Sequence, residues 1–187
     1  MKILSKEMLS SYKTNAVNKN GTQWLYEAIN SVERESKSYE IVVFLSHKHS
    51  DKQHVKDAIV LLNDLGVNVY VDWMDSTMPK STNCLTAEKI KKKIKNCKKF
   101  ILLATEDAIA SKWCNWELGF GDAEKFLKDN IAILPIKQND KEFTGSEYLA
   151  IYPSIVEKDF YLTENHRFIV QEPNSQNYEY LYNWLKK

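Results

Sequence analysis

The stretch YEIVVFLSHKHSD, residues 39–51, carries the first decision about the fold of this chain. Ile41 to Leu45 is continuously apolar and β-branched in its first half. That form suits a strand buried on both faces of a parallel sheet, because a half-exposed strand would alternate apolar and polar positions. From Asp51 the period changes. Val55, Ala58, Ile59 and Leu62 share one helical face as far as Leu65, and Gly66 supplies a C-terminal stop. Val67 to Val71 then reads as a second strand.

Working downstream, Thr86 is expected to cap a lysine-rich helix that turns Ile90, Ile94 and Cys97 inward. Lys91, Lys92, Lys93 and Lys95 occupy its other sides and read as a solvated face. Phe100 to Ala104 makes a third strand, Trp113 to Leu127 a third helix, and Ile131 to Ile136 a fourth strand with Pro135 near its end. Such alternation predicts an α/β fold, with a parallel sheet and helices on both faces. Beyond Phe143, Ser154 to Val156 and Phe160 to Leu162 are short strand candidates. Tyr178, Leu181, Tyr182 and Leu185 suggest a closing helix. Upstream, residues 1–38 are polar apart from one helical stretch, in which Trp24, Leu25, Ala28, Ile29 and Val32 lie on one face behind Thr22 as N-cap. This stripe is expected to pack on the main domain, although a partner-binding helix shows the same pattern.

With 187 residues, 43% of them hydrophobic, the chain suffices for one substantial core and a small extension, not for two full domains. Its 26 basic and 25 acidic residues nearly cancel, which argues against nucleic acid as a partner. The opening residues lack the apolar core and cleavage site of a signal peptide, and no apolar run approaches the roughly 18 residues of a membrane span. A soluble, cytoplasmic protein without membrane association is the expectation. Cys84, Cys97 and Cys114 are odd in number and widely spaced, fitting neither a disulfide framework nor a CxxC zinc site. His47, His49 and His54 lie close in sequence but lack a matching Cys or carboxylate cluster, so they are read as solvated loop histidines and no metal is expected. The five glycines form neither a GxGxxG dinucleotide loop nor a Walker phosphate loop.

In an open doubly wound sheet, ligands bind beyond the carboxyl ends of the strands where the strand order reverses. In a flavodoxin-like order that point lies between the first and third strands, which singles out Ser46 to Asp51 and Thr105 to Lys112. The third helix adds a carboxylate set among aromatics: Trp113 and Phe120 stand four residues before and three after Glu117, and Gly121 leaves the surface open to close approach. Burial among aromatics raises a carboxyl pKa, a common feature of active sites that structural ion pairs and helix-dipole contacts also produce.

Three segments now carry a family resemblance. YEIVVFLSHKHSD resembles the first box of the Toll/interleukin-1 receptor (TIR) domain family, GVNVYVDW resembles its second-strand motif before the BB loop, and SKWCNWELGFGDA resembles the segment bearing its WxxxE signature, here Trp113 to Glu117. They occur in the family order and cover about residues 39–136. The resemblance implies a five-stranded parallel flavodoxin-like sheet, and an organisation of residues 1–38 as helical extension, 39–160 as TIR domain and 161–187 as a C-terminal segment packed on it. Enzymatic members use the WxxxE glutamate to cleave NAD⁺ into nicotinamide and an ADP-ribose product. That role falls on Glu117, with Phe44, Ser46, His47, Trp73, Trp113 and Trp116 as substrate-binding candidates, NAD⁺ as substrate rather than cofactor, and self-association through TIR contacts. For the aromatics, core packing is the competing use; for Asp72 and Asp75, turn formation and capping are the simplest.

The BB-loop region departs from the short glycine-containing form by carrying MDSTMPKSTNC, residues 74–84. The bacterial NAD-consuming type, as in Thoeris antiphage defence, is the leading reading. A non-catalytic adapter or host-targeting TIR protein that assembles with other TIR domains is the second, and a nucleoside-processing transferase of related fold the third.

Overall fold

The computed structural model describes residues 1–30, 41–79, 83–138 and 142–187. Its elements run β1 (Leu4–Ser5), α1 (Lys6–Asn20), α2 (Thr22–Asn30), β2 (Val42–Ser46), α3 (Lys52–Asp64), β3 (Asn68–Tyr70), α4 (Cys84–Asn96) and β4 (Lys99–Ala104), followed by α5 (Glu106–Ile109), α6 (Lys112–Lys125), β5 (Ile131–Lys137), β6 (Ser154–Glu157), β7 (Phe168–Gln171), β8 (Tyr178–Tyr180) and α7 (Leu181–Lys186). Strands β3-β2-β4-β5-β6 lie side by side in that order, all parallel, which is the flavodoxin-like order expected from the sequence.

The apolar runs of β2 and β4 are buried because each strand feeds two cores. Val43 and Leu45, with Ile101 and Leu103, face α1, α3 and α7; Phe44, with Phe100, Leu102 and Ala104, faces α4 and α6. Strand alternation therefore puts Ser46 on the same side as Phe44, toward α6.

Several elements depart from the sequence expectation. Thr86 is not the cap of α4: Asn83 is, accepting from the Thr86 backbone N–H at 3.1 Å, while the Thr86 hydroxyl completes a capping box by accepting from the Asn83 N–H. Phe160 to Leu162 is irregular and exposed, not a strand. Instead β7 and β8 add antiparallel strands beyond β6, so residues after 160 extend the same sheet before α7 closes it. Residues 6–20 form the unexpected helix α1, whose Leu9, Tyr12 and Ala16 are buried. Its face against α3 is part polar: Tyr12 donates to Asp64 at 2.6 Å and Lys13 pairs with Asp57 at 2.7 Å. β1 runs parallel to the end of β5, through Leu4 beside Ile136. Trp24 and Leu25 of α2 pack on the adjoining core as expected; Val32 lies outside the described residues.

Candidate active site

Each wall of the site follows from where a strand ends. β2 ends at Ser46, whose hydroxyl donates to Glu117 Oε2 at 2.5 Å. Glu117 sits in the second turn of α6, a helix started by Ser111, which accepts from the Cys114 backbone N–H. The carboxylate is only 3% exposed. Burial pushes its pKa up to about 8; the hydrogen bonds from Ser46 and Trp113 oppose the rise, and the negative charge of Asp72 adds to it. At neutral pH this group holds its proton in most molecules.

On α6 the expected sharing of one face is only partly realised. Trp113 reaches Glu117, but Trp113, Trp116 and Phe120 form their own stacked row, with centroids 4.8 Å and then 6.4 Å apart. Glu117 lies on the neighbouring stripe with Cys114, Leu118 and Gly121, turned toward the sheet. Gly121 is the point of close approach: a Cβ there would stand 2.8 Å from Cδ2 of Phe100. The lysines of α4 are more than a solvated face, since Lys91 covers Trp116 and Phe120, Lys93 pairs with Asp75 at 3.2 Å, and Lys95 pairs with Glu124 at 3.4 Å.

A cleft of about 310 Å³ opens at the first turn of α6, lined among others by His47, His49, Asp72, Trp73, Ser111 and Trp113. That volume stands at the lower end of the roughly 300–1,000 Å³ typical of small-molecule sites. His47 is buried, not a solvated loop residue. Its Nδ1–H donates to the Leu45 carbonyl at 2.9 Å, which points Nε2 at Asp72 Oδ1, 3.5 Å away. Burial lowers its pKa despite the opposing pull of Asp72. His54 is half-buried on α3, so it too is no loop residue.

Asp72 is the first residue of a 3₁₀ turn and accepts from the Trp73 N–H at 2.7 Å; it lies inside the turn that Val71 precedes, so of its two expected uses it serves turn formation and not capping. Asp75 braces the next turn by accepting from Tyr70, Thr77 and Lys93; burial alone would raise its carboxyl, yet these bonds hold it near 2. Trp73 is flanked by His49, edge-on at 6.5 Å, and by the Lys52 ammonium at 5.6 Å. The two loops singled out at the switch point are joined by a hydrogen bond from the Thr105 hydroxyl to buried Asp51.

Of the sequence candidates, the structure puts His47, Trp73 and Trp113 in the lining of this cleft, whereas Ser46 and Glu117 are buried outside it, bonded to each other and linked to it through Trp113. Phe44 is 2% exposed and stacks between Tyr70 and Phe100, beneath the site and away from its lining. Trp116 lies in the outer aromatic row under Lys91. His49 and Asp72 were not singled out as site residues, and Asp72 brings the carboxylate that the histidine cluster lacks in sequence. Its place at the end of the second strand was the available signal.

The arrangement joins a neutral-leaning buried carboxyl, a neighbouring hydroxyl and indole walls at a doubly wound switch point. A family model described as TIR domain matches residues 43–160. The chain is 30% identical over 149 residues to a protein of Bacillus cereus (strain MSX-D12) named "Probable 3' cyclic ADP-D-ribose synthase ThsB'", covering 78% of this chain and 75% of that one. It is 36% identical over 97 residues to "Probable 2' cyclic ADP-D-ribose synthase TcpO" of Methanobrevibacter olleyae, covering 49% of this chain and 27% of the other. With the strand order, the WxxxE segment on α6 and these matches in agreement, the chain belongs to the TIR domain family.

Proposed function

We propose that this chain cleaves the nicotinamide–ribose bond of NAD⁺ and releases a cyclic ADP-ribose as a signal in antiphage defence, with Glu117 as the catalytic carboxylate. The observation that carries the reading is the burial of Glu117 against Ser46 and Trp113 at the sheet's switch point. The names of the two relatives support the same reaction class for this chain.

The chemistry follows from charge. The bond between ribose C1′ and the pyridinium nitrogen breaks with its electron pair leaving on nicotinamide, which departs neutral, while positive charge develops on the ribose. A nearby carboxylate stabilises that oxocarbenium-like state. The substrate's own positive charge favours ionisation of Glu117, offsetting the burial that otherwise keeps it protonated. Ser46 positions the carboxylate. Trp73 and Trp113 supply flat apolar walls, and His47 a polar contact, with Phe44 packing below and Trp116 buttressing Trp113. An internal hydroxyl then attacks C1′ and loses its proton, or an adenine ring nitrogen attacks and the exocyclic amino group loses one, provided the walls keep water away.

Because Glu117 is almost sealed, access requires movement of the residues over it. We therefore assign activation to assembly with further copies of the chain, through the loop that follows Asp72. Glu117→Gln tests the central claim: nicotinamide release should fall at least about 100-fold in a folded protein. Undiminished release would remove Glu117 from the mechanism and favour a non-catalytic adapter.

A further inference from the structure

His47 and Asp72 confront each other in a way that ordinary hydrogen bonding does not explain. A carbonyl oxygen only accepts, so the 2.9 Å contact with Leu45 fixes the His47 Nδ1 as the protonated nitrogen. The other nitrogen, Nε2, faces a carboxylate oxygen at 3.5 Å, too long for a good hydrogen bond. Two electron-pair donors thus point into one space. His49 closes the third side: the donor atoms of His47, His49 and Asp72 all lie within 4.8 Å of one another.

We propose that His47, His49 and Asp72 form a binding site for a divalent transition metal of the zinc class. Zinc bonds of about 2.0–2.1 Å in tetrahedral geometry place neighbouring ligand atoms about 3.3 Å apart, close to the His47–Asp72 separation. His49, being exposed, needs only a modest shift to complete the edge. The supporting shell is present as well. Metal-bound histidines characteristically donate their second ring N–H to a carbonyl or carboxylate, which is what His47 does to Leu45. Asp72 is oriented by the Trp73 N–H, and His49 stands edge-on to Trp73. Two histidines and one carboxylate leave a fourth position for water or ligand.

All three ligands line the cleft assigned above to the nucleotide. Metal and nucleotide therefore exclude each other, a consequence that rests on the proposed function. The metal is an inhibitor here and takes no part in the reaction.

Calorimetric titration of the chelator-stripped full chain with Zn²⁺ should show one site per chain. Co²⁺ used as a probe should give the visible bands of a tetrahedral nitrogen–oxygen site, without the thiolate charge-transfer band that Cys84 or Cys114 would contribute. His49→Ala and Asp72→Asn should each weaken binding at least about tenfold, since even outer-shell changes cost that much. His54→Ala lies outside the cluster and should leave binding unchanged. Absence of saturable binding, a thiolate band, or full affinity in both ligand variants with unchanged melting curves would overturn the site. In the second arm, Zn²⁺ should suppress nicotinamide release with the midpoint of the binding curve, and chelator should restore it. Release that continues at saturating metal would overturn the exclusion. The titration requires no turnover, so a chain that releases no nicotinamide still decides the site on binding alone.

Discussion

Replacing Glu117 by Gln should stabilise the protein while abolishing its activity, and the size of the stabilisation follows from the burial of this one group. An unfolded glutamate ionises near 4.5, whereas in the folded protein burial raises the value to about 8. Between those values the native state holds a proton that the unfolded state has released, so wild-type stability falls as pH rises across this window. The isosteric amide has no such charge to create and still accepts a hydrogen bond from Ser46. The accumulated difference is about 1 kcal/mol at pH 5 and about 3 kcal/mol at pH 7. For a chain of this length, 3 kcal/mol corresponds to a rise in Tm of roughly 6–12 °C. Melting curves of both proteins from about pH 5 to 8 measure the effect, since contributions of the other titrating groups cancel in the difference. A difference that stays flat with pH would refute the burial argument. A Gln variant less stable than wild type at neutral pH would refute it more directly.

Ser46→Ala should move the acidic limb of the nicotinamide-release profile upward by about 1–2 pH units, because a hydrogen bond to a charged group is worth about 1.5–3 kcal/mol. The rate at pH 7 then falls about 10- to 100-fold and recovers toward alkaline pH, where an equal loss at every pH would contradict a positioning role. Gly121→Ala should destabilise the fold by about 1–3 kcal/mol in denaturant titration, reversing the usual helical preference for Ala, because its Cβ would meet the Phe100 ring. Turnover per molecule should rise with protein concentration in parallel with assembly by light scattering, and constant specific activity in a monomer would reject activation by association. Mass spectrometry of the products should find a species lighter than linear ADP-ribose by one water; linear ADP-ribose alone would limit the chain to hydrolysis.

The central strands were legible because burial on both faces writes a continuous apolar run into sequence, as in Val43 to Leu45 and Phe100 to Ala104. Ser46 and Glu117 were legible as neighbours because strand ends at a switch point are a general ligand position and the WxxxE segment fixed the helix. Helix α1 was not legible, because hydrogen-bonded Tyr12 and paired Lys13 interrupt the apolar stripe that would have announced it. β7 and β8 were missed for a different reason. Only Ile169, Phe168 and Val170 are deeply buried there, and the edge strand is short and polar, so its pairing is fixed by neighbours distant in sequence. The cluster of His47, His49 and Asp72 joins the ends of two strands; each end marks a ligand position, but the closeness of the three side chains has no local signature.

The antiparallel pair β7 and β8 also decides how copies of this chain can meet. A parallel sheet ending at β6 would offer a row of unpaired backbone groups to any passing strand. Among the described residues the outermost strands are β3 and β8, each of three residues. On β8 the side chains are committed as well: Lys187 pairs with Glu179, and Lys158 donates to the Tyr178 hydroxyl. Short margins, charged on the β8 side, discourage edge-to-edge polymerisation into a continuous β ribbon. Filaments or rings of this protein would then be held by side chains of helices and loops, a mode of growth that competing contacts at those surfaces can reverse.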